Sequence, residues 1–158
     1  MAAPTPSVRA TPGGIKLPDG YQCLVTFTAD TDFSVWEKTT TPPPLEGGDP
    51  IDQTTQHNVD YMTKFPQQLI DVGEATFTAA YDPASYTQAL ALINVQTVVT
   101  YTFYDGSTLC FYGYLKTFAP GTQQRGTQPE ATITVVCTNW DYVNKVEAAP
   151  VLTSVSGT

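Results

Sequence analysis

Two stretches of this chain alternate their side chains with a period of two, and that alternation narrows the fold more than any other feature. In residues 74–81, Ala75, Phe77, Ala79 and Tyr81 oppose Glu74, Thr76, Thr78 and Ala80. In residues 130–138, Ala131, Ile133, Val135 and Cys137 oppose Glu130, Thr132, Thr134 and Thr138. Successive side chains of a strand point to opposite faces, so each stretch reads as a half-buried strand. One face is apolar and the other is rich in hydroxyls. Four more runs read as strands: residues 21–29, with Cys23, Val25 and Phe27 on one face, and residues 33–38, 97–104 and 109–118.

The turns then suggest how the strands connect. Asp105-Gly106-Ser107-Thr108 is a strong hairpin signal between the fourth and fifth strands. The short Asp30-Thr31-Asp32 stretch predicts a hairpin between the first and second. Pro83, followed by Ala89, Leu90, Leu92 and Ile93 at helical spacing, predicts one helix reaching residue 94. The expected fold is mainly β, a sandwich or barrel of six strands. One helix packs on it, and a long loop separates the second and third strands. Residues 21–147 form the single domain, flanked by a Pro/Gly/Ala-rich arm at 1–20 and a weakly patterned arm at 148–158. The loop, residues 39–68, reads as irregular. Loops beyond about 12–15 residues usually have a job, and Ile51, Tyr61, Met62 and Phe65 stand in it as anchors for a neighbouring molecule.

Composition excludes several functions. Only 14% of residues are charged, against roughly 25% in ordinary domains, which suggests a surface covered by something else, plausibly further copies. With 7 Lys+Arg against 15 Asp+Glu and a net charge of -8, phosphate neutralisation by a basic patch is not expected. Cys23, Cys110 and Cys137 sit in apolar runs without framework spacing, and read as buried small hydrophobes in a reducing compartment. The first residues lack the apolar core of a secretory signal. No apolar run approaches the roughly 20 residues that span a bilayer.

No catalytic constellation emerges, and no cofactor or metal is expected. His57 stands alone without an oriented partner, and neither Asp52 nor Asp60 completes a recognised ligand spacing with it. Asp30 and Asp32 lack the further carboxylates of a calcium loop. Gly47-Gly48 lies outside any strand-to-helix context that would cradle a phosphate. Trp36, Trp140 and the tyrosines read as core and interface packing, with a sugar-binding face as the alternative.

The long loop and its flanks carry a more specific signal. Ile51, Asp52, Thr54, Thr55 and Asn58 are followed by Tyr61, by Pro66 and Leu69, and then by a strand, Asp82-Pro83 and the helix. This order resembles the central segment of the major tail tube proteins of long-tailed, siphovirus-type bacteriophages. The later Asp105-Gly106 turn with Phe111-x-Gly113-Tyr114 also resembles that family's pattern. The resemblance spans roughly residues 20–140. It implies a tail tube fold and a non-enzymatic virion protein, made in the host bacterial cytoplasm and built into the tail. Subunits would close into hexameric rings that stack into a conduit for DNA ejection. Its partners would be itself, a tape-measure protein, the tail tip and the tail terminator. DNA would pass through without specific binding, along a lumen for which Glu74, Thr76, Glu130 and Thr132 are the candidate lining residues. A carbohydrate-binding β-sandwich, or a tail terminator or secretion-tube component, is the alternative reading.

Overall fold

A computed structural model describes residues 23–33 and 35–154. The arm expected at residues 1–20 lies outside the described residues.

Six strands form the body of one antiparallel sheet. They are β1 (Leu24–Phe27), β2 (Trp36–Thr41), β7 (Ala75–Ala80), β8 (Thr97–Thr102), β9 (Thr108–Pro120) and β10 (Glu130–Cys137), in the spatial order β1-β8-β9-β10-β7-β2. The mainly β expectation is met, and the sheet is open rather than a closed barrel. The two alternating stretches are direct neighbours, with Ile133 opposite Phe77 and Thr132 opposite Thr78. The Asp-Gly hairpin joins β8 to β9, with Thr102 opposite Thr108.

The expected hairpin between the first two strands does not form. β1 pairs only with β8 and β2 only with β7, so these sequence neighbours become the opposite edges of the sheet. Asp30 instead closes a tight local turn, its carboxylate accepting from the Asp32 amide. Each edge strand pairs instead with a six-residue strand from far along the chain, β1 with β8 and β2 with β7.

The 13-residue β9 changes partners along its length. Its first half pairs with β8 and its second with β10, and both pairings meet at Gly113. A methyl group at Gly113 would collide with the carbonyl oxygen of Val136, so this crossing tolerates only glycine. Alongside the first half of β9 runs β13 (Val151–Thr153), with Leu152 opposite Leu109. The tail after residue 148 is therefore tied into the sheet over these residues.

The helix α1 (Pro83–Leu92) packs against β9. Asp82 caps it by accepting from the Ala84 amide, and Pro83 occupies a first-turn position where its missing N–H costs nothing. The chain leaves through Asn94, in the left-handed region at φ 61°, whose amide donates to Leu115 O at 3.1 Å.

The core lies between the curled faces of this sheet. Phe27, Phe77, Val99, Tyr101, Leu115, Ile133 and Val135 are essentially inaccessible. Tyr101 stacks on Phe111, and Phe27 meets Phe33 edge-on. Curling brings the two sheet edges together. The Val25 amide donates across the seam to Glu37 Oε1 of β2, at 2.9 Å. Cys137 is buried among these groups, and desolvation pushes its thiol up to about 12. Cys23 and Cys110 are half-buried and free.

Candidate assembly surfaces

Residues 43–72 form the first surface, and they are not irregular. Two short ladders rise one after the other from the end of β2. The first pairs β3 (Leu45–Glu46) with β6 (Asp71–Val72), and the second pairs β4 (Ile51–Asp52) with β5 (Lys64–Phe65). Gly48 turns the chain between them at φ 79°, and Gln67 Nε2 donates to Asp49 O at 2.9 Å. The result is a projecting, double-runged arm.

The arm tip is closed by the residues that carried the family resemblance. Asn58 Oδ1 accepts from the Thr55 amide and hydroxyl, and Asn58 Nδ2 donates to Tyr61 O and to Thr63 Oγ1. Asp52 Oδ1 accepts from the Thr54 amide. Hydrogen bonds from Thr54, with the Lys64 charge nearby, hold the Asp52 carboxyl below its ordinary range. The Ile-Asp-x-Thr-Thr-x-x-Asn spacing thus has a local reason: it ties the cap of residues 53–63 to the upper ladder.

Short backbone ladders and side-chain hydrogen bonds shape this arm. Every residue from 44 to 71 is exposed. Ile51, Tyr61, Met62 and Phe65, the expected anchors, all lie on it, with Tyr61 84% accessible. Leu45, Val59, Leu69 and Ile70 are also exposed, and add to the apolar groups that the arm presents. His57 stands at the tip, its backbone amide donating to Thr55 Oγ1. Among the described residues no cluster of His, Cys, Asp or Glu could hold a metal ion.

The second surface is an open groove of about 1310 Å³ beside the arm's base. Leu45, Leu69, Ile70 and Val72 form one wall; Phe103, Leu109, Trp140 and Leu152 form the other. Four separate stretches of chain meet here, which is why no motif announces it. Its rim carries Asp105, held below the usual carboxylate range by hydrogen bonds from Ser107. Of the two tryptophans, Trp140 lines the groove and Trp36 stands exposed on the edge strand β2.

The third surface is the outer face of the sheet, where Thr76 and Thr132 lie with Thr78 and Thr134 on neighbouring strands. Thr39 and Thr78 share a hydroxyl hydrogen bond at 2.6 Å. Glu74 and Glu130 flank this face, and each carboxylate has a lysine. Lys38 pairs with Glu130 at 2.8 Å, and Lys116 pairs with Glu74. The hydrogen bond to Glu74, and then its charge, raise the Lys116 ammonium above its ordinary range. The face is therefore hydroxyl-rich and locally charge-balanced rather than a bare acidic strip.

Among the described residues no helix is long and apolar enough to cross a membrane. No family model and no curated protein matches the chain. Among solved structures, similarity is found to a chain in the cryo-EM structure of the anti-feeding prophage (AFP) baseplate, 6-fold symmetrised. The TM-score is 0.57 at 7% sequence identity, over 85% of this chain and 92% of that one. At that identity the likeness is one of fold: this curled sheet, with its helix, is a fold used by a prophage baseplate protein.

Proposed function

We propose that this chain is a non-enzymatic structural component of a phage tail, and that within the tail it is the tube subunit. The arm carries the proposal. An ordered projection with every residue from 44 to 71 exposed, bearing Ile51, Tyr61, Met62 and Phe65, is a surface built to be covered. Large apolar patches left in water mark sites of protein–protein contact. The fold likeness to a baseplate chain, in a structure described as 6-fold symmetrised, supports a tail setting.

In this reading copies of the chain join side by side through the sheet edges β1 and β2, and the rings stack through the arm. A head-to-tail contact of this kind either closes or propagates; here closure makes the ring and stacking makes the tube. Six subunits per ring is the expected number. The hydroxyl-rich face, with Glu74, Thr76, Glu130 and Thr132, lines the channel. Its paired charges offer DNA neither a cationic patch to bind nor a dense acidic field. A tape-measure protein, a tail tip and a terminator would complete the assembly in the host cytoplasm, and the finished tail would conduct DNA.

The test removes the arm. The intact chain is expected to form hollow tubes of uniform width by negative-stain electron microscopy as concentration rises. Deleting residues 46–64 is expected to leave a folded monomer, by circular dichroism and sedimentation, that forms none. Tubes from the deletion variant, or an intact chain that stays monomeric at every concentration, would sink the proposal.

A further inference from the structure

The seam between the two sheet edges is bridged by a side-chain contact to the backbone. The Thr28 amide donates to Val98 O of β8. In an antiparallel pair successive amides point alternately toward and away from the partner strand, so the Val25 amide, three residues earlier, faces the free edge of β1. That donor is not left open. Glu37 Oε1 covers it at 2.9 Å, reaching from the opposite edge strand.

Glu37 is placed unusually for a carboxylate. It sits opposite Ala79, a fully buried residue, on the core-facing side of β2. A bulge follows immediately, between Glu37 and Thr39. An inward-pointing charge and a bulge are two of the devices by which proteins keep an edge strand from pairing with another chain. Both fall here at one position, on one edge, and the charge also caps the other edge.

We propose that Glu37 is an assembly gate: its carboxylate occupies the β1 edge donor that a strand of a second copy would use, and it must swing away before two copies join. The inference rests on the self-assembly reading above. In the separate chain the Glu37–Val25 contact is intact and the edge is closed to pairing. When a neighbour's strand supplies a carbonyl oxygen to the Val25 amide, Glu37 is displaced into solvent. The contact therefore raises the concentration needed for joining without altering the joined state.

Two variants separate the hydrogen bond from the charge. Glu37→Gln keeps an acceptor of the same reach and removes the charge. Glu37→Asp keeps the charge but is one methylene too short to reach the amide. Hydrogen exchange of the Val25 amide in dilute protein reports the contact directly, and sedimentation across a concentration series reports assembly. Glu37→Asp is expected to lose Val25 protection and to assemble at about tenfold lower concentration, the scale of one charge-assisted hydrogen bond. Glu37→Gln is expected to match the natural chain within about twofold on the same scale. If Glu37→Gln assembles more readily while Glu37→Asp does not, charge repulsion governs and the gate is overturned. Unchanged assembly in both variants, with the natural chain still assembling, overturns the gate and leaves the tube reading standing. If none of the three assembles, both fall together.

Discussion

The sheet body and the arm are built on opposite terms. In the body, strands of four to thirteen residues place Phe77, Ile133, Leu115 and Val135 in a shared interior that water does not reach. In the arm, ladders of two residues each are stitched by side-chain hydrogen bonds, and the large apolar groups face outward. Burial of apolar area is the dominant favourable term in folding, whereas an exposed hydrogen bond exchanges one partner for water and gains little net. The body is thus stabilised by its own chain. The arm buries little of its apolar surface in its own chain, and most of that surface is left to be covered by another molecule.

The largest expected effect breaks the comparison from the body's side. Phe77 is 1% exposed at the centre of β7, and Phe77→Ala is expected to cost about 3–5 kcal/mol in chemical denaturation, the range for emptying an aromatic core site. A loss below about 1 kcal/mol, the size of a surface effect, would mean the interior is loosely packed and the contrast is false. The arm should respond on a smaller scale and only locally. Asn58→Ala removes the tip's hydrogen bonds to Thr55, Tyr61 and Thr63. It is expected to lower amide protection at Gln53 and Thr63 by about 1 kcal/mol, with global stability unchanged within about 0.5 kcal/mol. Equal losses at the arm and in the sheet would show that the arm unfolds with the body rather than independently.

The same contrast explains what the sequence disclosed. β7 and β10 announce themselves because half-burial writes a period of two into their residues, and β8–β9 because Asp105-Gly106 closes a local turn. The helix is marked by Pro83 at its start. The separation of β1 from β2 left no local trace, since their choice of partners depends on strands far along the chain. Two-residue ladders are too short to show a period, so the arm read as irregular. Its anchors Ile51, Tyr61, Met62 and Phe65 were visible because large apolar residues are conspicuous in a polar loop. The groove was invisible because residues 43–45, 69–72, 103–109 and 138–152 meet only after folding. Likewise the lysines of Glu74 and Glu130 lie 42 and 92 residues away in sequence.

The smallest effect is electrostatic and sets one aspartate of the arm against two of the body. Asp52 is held below its ordinary range by hydrogen bonds from Thr54. Asp141 is held there by the amide and side chain of Asn144, and Asp105 by Ser107. A carboxyl depressed in the folded state adds stability above its unfolded value, near 3.9, and loses it as pH falls through the folded value. All three contributions are therefore complete at neutral pH and fade only below about pH 4. Their consequences should differ by place. Asp141 closes the turn between β11 (Trp140–Asp141) and β12 (Val146–Glu147), accepting from the Val143 and Asn144 amides. Asp105 likewise closes the turn that joins β8 to β9. Protonating these two should loosen turns of the packed body, while protonating Asp52 should loosen the arm tip alone. Carboxyl titration by NMR from about pH 5 downward is expected to place all three midpoints below the ordinary aspartate value near 3.9. Asp52→Asn is expected to abolish the acid-induced loss of protection at the arm amides and to leave that of the body intact. An Asp52 midpoint at or above the ordinary value, or an arm response that survives Asp52→Asn, would mean that the tip is not held by that carboxylate.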